Sequence, residues 1–298
     1  MIKKTALRCG LGEDKVDMII RSARAPSTIR AYSAAFAKFQ QFAREGGLDP
    51  EANATLSAYL LKRFDCVGAS ALATDKAAVR FFIGSSAGHF DPLILEASKR
   101  TTSTKHREKA ALDDLGKVLD VGLKNIAVPW ILRAALLAAV QFGSMARISE
   151  VSALRWDDVL LHADYWTIHI ARSKTDQRGE GRDAYLDPAD ARFLRLWNAW
   201  KEIPDNKIRV FVFHSFSSPG RPISPTTAGK EIKKIFALAG CSQTLSSHGL
   251  RGGAATLAIL DGRSHEQVKA AGGWRSSRGM APYIRPSAAA QGGPNRMS

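Results

Sequence analysis

The chain has 298 residues, 45% of them hydrophobic, and carries 43 lysines and arginines against 28 acids for a formal charge of +15. That apolar share suits a folded core and argues against disorder, and no run of about 18 apolar residues is present to cross a membrane. The basic excess favours a polyanionic partner, because neutralising phosphates releases their condensed counterions.

The N-terminal MIKKTALRCG is basic but lacks the apolar stretch of a signal peptide. From Ser27, STIRAYSAAFAKFQQFAREGG has the pattern of a helix. Ser27 or Thr28 can cap it, Gly46 and Gly47 can end it, and Ile29, Tyr32, Phe36 and Phe39 recur at helical spacing. Arg30 and Lys38 fall off that stripe. Helical patterns follow at about 52–66, 70–83 and 91–100, so residues 1–98 read as an all-helical domain. KRTTSTKHREKA, Lys99 to Ala110, is hydroxyl-rich, basic and without apolar period; it reads as a linker able to lie along a phosphate backbone.

From residue 111 to 298 the character changes. Helical patterns near 111–123 and 128–142 lead to Gly143 and SMARISEVSALRW. Two β-rich runs in DDVLLHADYWTIHIARSKTD, split at His162-Ala163-Asp164, suggest a hairpin. Helices return near 188–202, 225–239, 247–260 and 264–271. The expected fold is mainly α with a small antiparallel sheet (α+β): a helical domain, a basic linker and a larger mixed domain. Cys9, Cys66 and Cys241 are too scattered for a disulfide framework or a zinc pattern, which fits a reducing interior.

Within the second domain several residues could carry chemistry. Arg147 and Glu150 lie one helical turn apart, so Glu150 either orients the Arg147 guanidinium or forms an exposed ion pair with it. Lys174, in IHIARSKTDQRGEGR, is either solvated surface or, with cations nearby to lower its pKa, a proton donor. His248 and Arg251 share one face near a helix start, an arrangement suited to an anion. Gly252 and Gly253 each cost about 1 kcal/mol in a helix relative to Ala, which makes sense if another backbone approaches there. Trp274 and Tyr283 read singly as core aromatics, but Gly272-Gly273 precedes the tryptophan and Arg275, Arg278 and Arg285 surround the tyrosine.

The ordered set is more specific than its members. Arg with Glu three residues later, a hairpin Lys, His-x-x-Arg, Gly-Gly-Trp and a Tyr nine residues on resembles the tyrosine recombinases, or phage integrases, over about Ala111 to Arg285, and AGGWRSSRGMAPYIRP is most like the Cre-type branch. The resemblance implies Tyr283 as nucleophile, Arg147 and Arg251 as the phosphate clamp, Lys174 and His248 as proton-handling residues, Trp274 as an indole donor to the phosphate and Glu150 in support. Many relatives carry a second His where this chain has Gly252 and a His where Trp274 stands, which makes a Xer-like role less expected.

The chemistry agrees with those roles. Charge on the phosphate oxygens grows in the five-coordinate transition state, and two guanidinium forks with an indole donor answer it. A phenol of pKa near 10 needs nearby cations and a base before it attacks. No step needs a metal or another cofactor, and the phosphotyrosine conserves the bond energy, so strands can be exchanged without ATP. The implied partner is double-stranded DNA with inverted-repeat sites, bound by a dimer per site and a homotetramer per reaction. The first domain would read the sequence, with Arg30, Lys38, Lys76 and Arg80 as helical contacts and Lys105 and Arg107 as linker contacts. The location would be cytoplasmic and nucleoid-associated in a bacterium or phage, or nuclear in a eukaryote. Without an arm-binding domain, the expectation is a simple, self-sufficient enzyme, while the tail after Tyr283 leaves open how subunits interlock. A type IB topoisomerase and a non-catalytic DNA-binding remnant of a mobile element are the alternatives.

Overall fold

The computed structural model describes residues 12–84, 90–102, 108–171, 176, 180–203 and 209–284. The chain divides into two compact units, residues 1–105 and 106–298. Among the described residues no helix is long and apolar enough to cross a membrane.

The first unit contains helices α1 (Glu13–Ser22), α2 (Pro26–Glu45), α3 (Asn53–Phe64), α4 (Ala69–Ile83) and α5 (Phe90–Thr101). Helix α1 lacks a counterpart in the sequence reading. Helix α2 starts with Pro26 in its first turn and has no side-chain cap. The preset φ of proline initiates it in place of the expected Ser27 or Thr28 hydroxyl. Phe39, Leu56, Tyr59, Leu60, Leu72, Val79, Ile83 and Ile94 form the core. Phe36 stacks on Phe82, and Phe39 meets Tyr59 edge-on. Helix α5 runs through Thr101, so the first residues of the basic stretch continue a helix rather than open a linker.

Arg30 and Lys38 are exposed on α2. Lys76 requires a correction, because it is only 8% exposed. It follows Leu72 by four residues and precedes Val79 by three, which turns it onto the buried face of α4. Arg80 reaches Asp91 at 3.4 Å, and Asp91 is fully buried, so its charge is directed into the fold rather than held for a groove. Lys105 and Arg107 lie outside the described residues.

The second unit is organised around α7 (Pro129–Gly143), whose interior from Ile131 to Phe142 is buried throughout. A helix apolar on all sides needs partners on all sides. They are α6 (Leu112–Lys124), α9 (Ala191–Glu202), α10 (Pro225–Leu238) and α11 (Ser247–Leu260). The short α8 (Ile148–Val151) follows α7, and α12 (His265–Gly272) and α13 (Ser277–Met280) follow α11. Ser264 caps α12 through the Gln267 N–H while Gln267 returns a bond to the Ser264 N–H.

The sheet has three antiparallel strands, β1 (Val159–Leu161), β2 (Trp166–Ile170) and β3 (Arg182–Leu186), in that order. The β1–β2 hairpin is the one expected at His162. Strand β3 is additional, pairing Ile168 with Ala184 and Ile170 with Arg182. Leu186 of β3 packs against Gly143 at the end of α7. The sheet edge is thereby tied to the turn that leads to Arg147.

Candidate active site

Beyond α7 the backbone turns through Met145, whose φ of +49° is left-handed, a conformation that costs a non-glycine residue energy and often marks functional turns. Arg147 then stands at the entrance to α8. Its N–H donates to Glu150 Oε2 at 2.9 Å and its Nη1 donates to Glu150 Oε1 at 2.7 Å. Of the two sequence readings of this pair, the orienting one fits: the Glu150 side chain is 1% exposed, not a solvated surface partner.

Glu150 is shared. Arg182, which opens β3, donates from Nη2 to Glu150 Oε2 at 3.3 Å and from Nη1 to the Ala271 carbonyl at 3.0 Å. Arg251, in the middle of α11, holds Nη1 at 3.9 Å from the same Oε2 and donates from Nη2 to the Gly272 carbonyl at 2.7 Å. Three guanidiniums thus surround one carboxylate, a surplus of two positive charges. Burial, then the neighbouring Arg147, pulls the Arg251 pKa down to about 10, while Glu150 and Tyr283 oppose the shift. Burial also lowers the pKa of Arg182, with Glu150 opposing. Arg251 Nε and Nη1 and Arg182 Nε are buried without a hydrogen-bond partner among the described residues. Buried donors without acceptors are costly, so this cluster has hydrogen-bonding capacity that an anion could satisfy.

The aromatic residues close over it. The Arg251 Cζ lies 4.1 Å from the Trp274 ring centroid and 5.5 Å from that of Tyr283. The two rings are 5.3 Å apart and inclined at 60°. Trp274 is buried with Ala255, Val268 and Met280, and the half-buried Tyr283 packs against that cluster. Tyr283 is therefore both packed against aromatic surface and set beside the arginine cluster. Arg275 and Arg278 point to solvent, the guanidinium of Arg251 lies over the tyrosine ring, and Arg285 lies outside the described residues.

Glycines make these approaches possible. A Cβ on Gly252 would stand 2.9 Å from the Tyr283 carbonyl oxygen, and one on Gly253 would stand 2.0 Å from that of Ala110. The glycine pair in α11 is thus explained by two crossing backbones, as the sequence suggested. Likewise a Cβ on Gly272 would fall 1.8 Å from the Trp274 ring, so only glycine admits the indole there.

The structure therefore gathers Arg147, Glu150, Arg251, Trp274 and Tyr283. His248 is exposed at the second position of α11, three residues before Arg251. Lys174 belongs to the β2–β3 connection and lies outside the described residues. Arg182 was not anticipated; its partners stand 32 and 89 positions away along the chain, and no local pattern reports them. Among the described residues no group of His, Cys, Asp and Glu is placed to hold a metal.

Comparisons with known proteins bear on this arrangement. A sequence profile described as the phage integrase family matches residues 123–289. The prophage integrase IntA of Escherichia coli strain K12 is 29% identical over 131 residues, 44% of this chain, and the match spans only 29% of that relative. Among solved structures, XerH site-specific recombinase bound to palindromic difH substrate superposes with a TM-score of 0.65 at 16% identity, over 85% of this chain and 75% of that one. A lambda integrase dimer bound to a COC' core site gives 0.61 at 17% identity, over 91% and 93% of the two chains. The Tn1549 transposon integrase in complex with transposon right end DNA gives 0.65 at 12% identity, over 93% and 96%. At such identities these structures speak to the fold.

Proposed function

The chain belongs to the phage integrase family, and from that premise we propose that it is a site-specific DNA recombinase acting through a 3′-phosphotyrosine intermediate. The observation that carries this reading is Arg251: buried, beside Arg147 and Arg182, with two N–H-bearing nitrogens unmet and the Tyr283 ring over it.

A backbone phosphate seated at the cluster would take the free edge of Arg251 and the outward edge of Arg147, whose side chain is 21% exposed. Charge-assisted bonds of this kind strengthen as the phosphate oxygens gain charge. Tyr283 Oη then bonds to phosphorus and passes its proton to a base, for which His248 is the candidate, while the bond from phosphorus to the 5′ oxygen breaks. The departing oxygen takes a proton, for which Lys174 is the candidate, with His248 the second proton-handling residue. Attack by a 5′-hydroxyl of another strand reverses the sequence and restores the phenol. Guanidiniums answer the phosphate charge and the phosphotyrosine retains the bond energy, so none of these steps calls for a metal or ATP.

The +15 charge suits a duplex partner, with exposed Arg30 and Lys38 of the first unit available to contact it. Two copies on each inverted-repeat site and four across paired sites complete the proposal, carried out wherever that DNA resides.

The test begins by selecting a binding duplex from a random pool, then offering nicked versions of it to the protein. Wild-type protein is expected to form a denaturation-resistant adduct and Tyr283→Phe none. An adduct that survives Tyr283→Phe, or no adduct on any nicked duplex, overturns the reading.

A further inference from the structure

We propose that Arg182 is a positioning residue for the phosphate clamp: by occupying Glu150 and the end of α12, it keeps Arg251 available to the scissile phosphate. The inference rests on the recombinase reading above and assigns a task to a residue that neither composition nor motif singled out.

The sharing of acceptors supports it. Glu150 Oε1 is taken by Arg147 Nη1, and Oε2 accepts from the Arg147 N–H and from Arg182 Nη2. Arg251 Nη1 stands 3.9 Å from that same Oε2, beyond hydrogen-bond reach. At the end of α12 the division repeats, because Arg182 takes the Ala271 carbonyl and Arg251 takes that of Gly272. These two successive carbonyls sit at the negative end of the helix, with Gly273 alone between them and Trp274. The fit around Arg182 is close: Gly273 adopts a φ of +66°, and a Cβ there would lie 2.5 Å from Arg182 Nε.

Without Arg182, a carboxylate 1% exposed loses a donor. Among the described residues, the other cation within 4 Å of that carboxylate is Arg251, through Nη1. Attraction in a buried setting would close that gap and consume the edge of Arg251 that the phosphate needs. The Ala271 carbonyl would be released at the same time, loosening the turn that carries Trp274. Arg182 thus acts through Arg251 and does not itself touch the reacting atoms.

The experiment measures single-turnover adduct formation by wild type, Arg182→Gln and Arg182→Lys on the selected nicked duplex. The scissile position carries either an ordinary phosphate or a methylphosphonate, which lacks one negative charge. On the phosphate, Arg182→Gln is expected to slow adduct formation by about 10- to 100-fold, with duplex affinity within about threefold of wild type. On the methylphosphonate there is little charge for Arg251 to hold, so the deficit should shrink to within about threefold. Arg182→Lys, which can still occupy Glu150 but cannot span to Ala271, should recover part of the rate on phosphate. If Arg182→Gln does not melt cooperatively, the same two-substrate ratio is read from Arg182→Lys. Wild-type speed on phosphate, or an equal loss on both substrates, overturns the proposal. No adduct from wild-type protein defeats the recombinase reading and takes this proposal with it.

Discussion

Arg133 and Arg251 are each 2% exposed in the second unit, yet they are met in opposite ways. Arg133 Nε and Nη2 bind the two oxygens of Glu231 at 3.0 and 2.5 Å, and Nη1 binds the His214 carbonyl at 2.7 Å. The Phe216 ring covers its guanidinium at 3.6 Å. Arg251 has one short bond, to Gly272, and shares its carboxylate with two other arginines. A guanidinium with a carboxylate of its own holds a fold together. One left short of acceptors stores a demand that an incoming anion can meet.

Removing the two side chains in turn should separate these roles most sharply. Arg133→Met strands Glu231 in a largely buried site and should cost about 3–5 kcal/mol in denaturant unfolding, as breaking one side of a buried pair does. Arg251→Met removes a surplus cation, so its stability should stay within about 1 kcal/mol of wild type, while adduct formation falls by about 100- to 1000-fold as expected for losing a transition-state donor. Equal stability losses in both variants would erase the distinction.

The Arg133 region has its own acid sensitivity. Burial, then Arg209 and Arg133, lowers the His214 pKa to about 4, against an unfolded value near 6.5. The unfolded chain therefore binds the extra proton between those values. This contribution leaves stability unaffected above about pH 7 and erodes it as pH falls from about 6.5 toward 4, by up to about 3 kcal/mol. His214→Gln should flatten that part of the unfolding profile, and an unchanged slope would assign the effect elsewhere.

The glycines of α11 allow a finer comparison of fold and chemistry. Gly253→Ala drives a Cβ into the Ala110 carbonyl and should cost about 1–3 kcal/mol of stability, as overpacking does. Gly252→Ala presses on the Tyr283 carbonyl and on the flexible Lys109 stem. It should spare stability by comparison and slow adduct formation by about tenfold through misplacement of the tyrosine. Melting curves and single-turnover rates on the two variants check the crossover.

Much of this arrangement could be read from sequence because its signals are local. The His-x-x-Arg spacing, the glycine pair and the i, i+3 placement of Arg147 and Glu150 all survive translation into space. Lys76 was legible in principle, since Leu72 and Val79 mark its face as buried, but its charge argued for the surface. Arg182 and β3 were not legible. In RDAYL the inward Arg182, Ala184 and Leu186 alternate with exposed Asp183 and Tyr185, but an inward arginine and an outward tyrosine hide that period from hydropathy, and pairing with β2 defines the strand. Burial of Glu150 is likewise set by segments distant in sequence, which spacing alone does not report.

The most direct measurement is a crystal structure of the Tyr283→Phe protein bound to its selected duplex. A backbone phosphate is expected with a non-bridging oxygen within about 3 Å of Arg251 Nη1 or Nε, beside Arg147, and Glu150 still held by Arg182. A structure in which Arg251 turns its free edge onto Glu150, with no phosphate at the cluster, would contradict it.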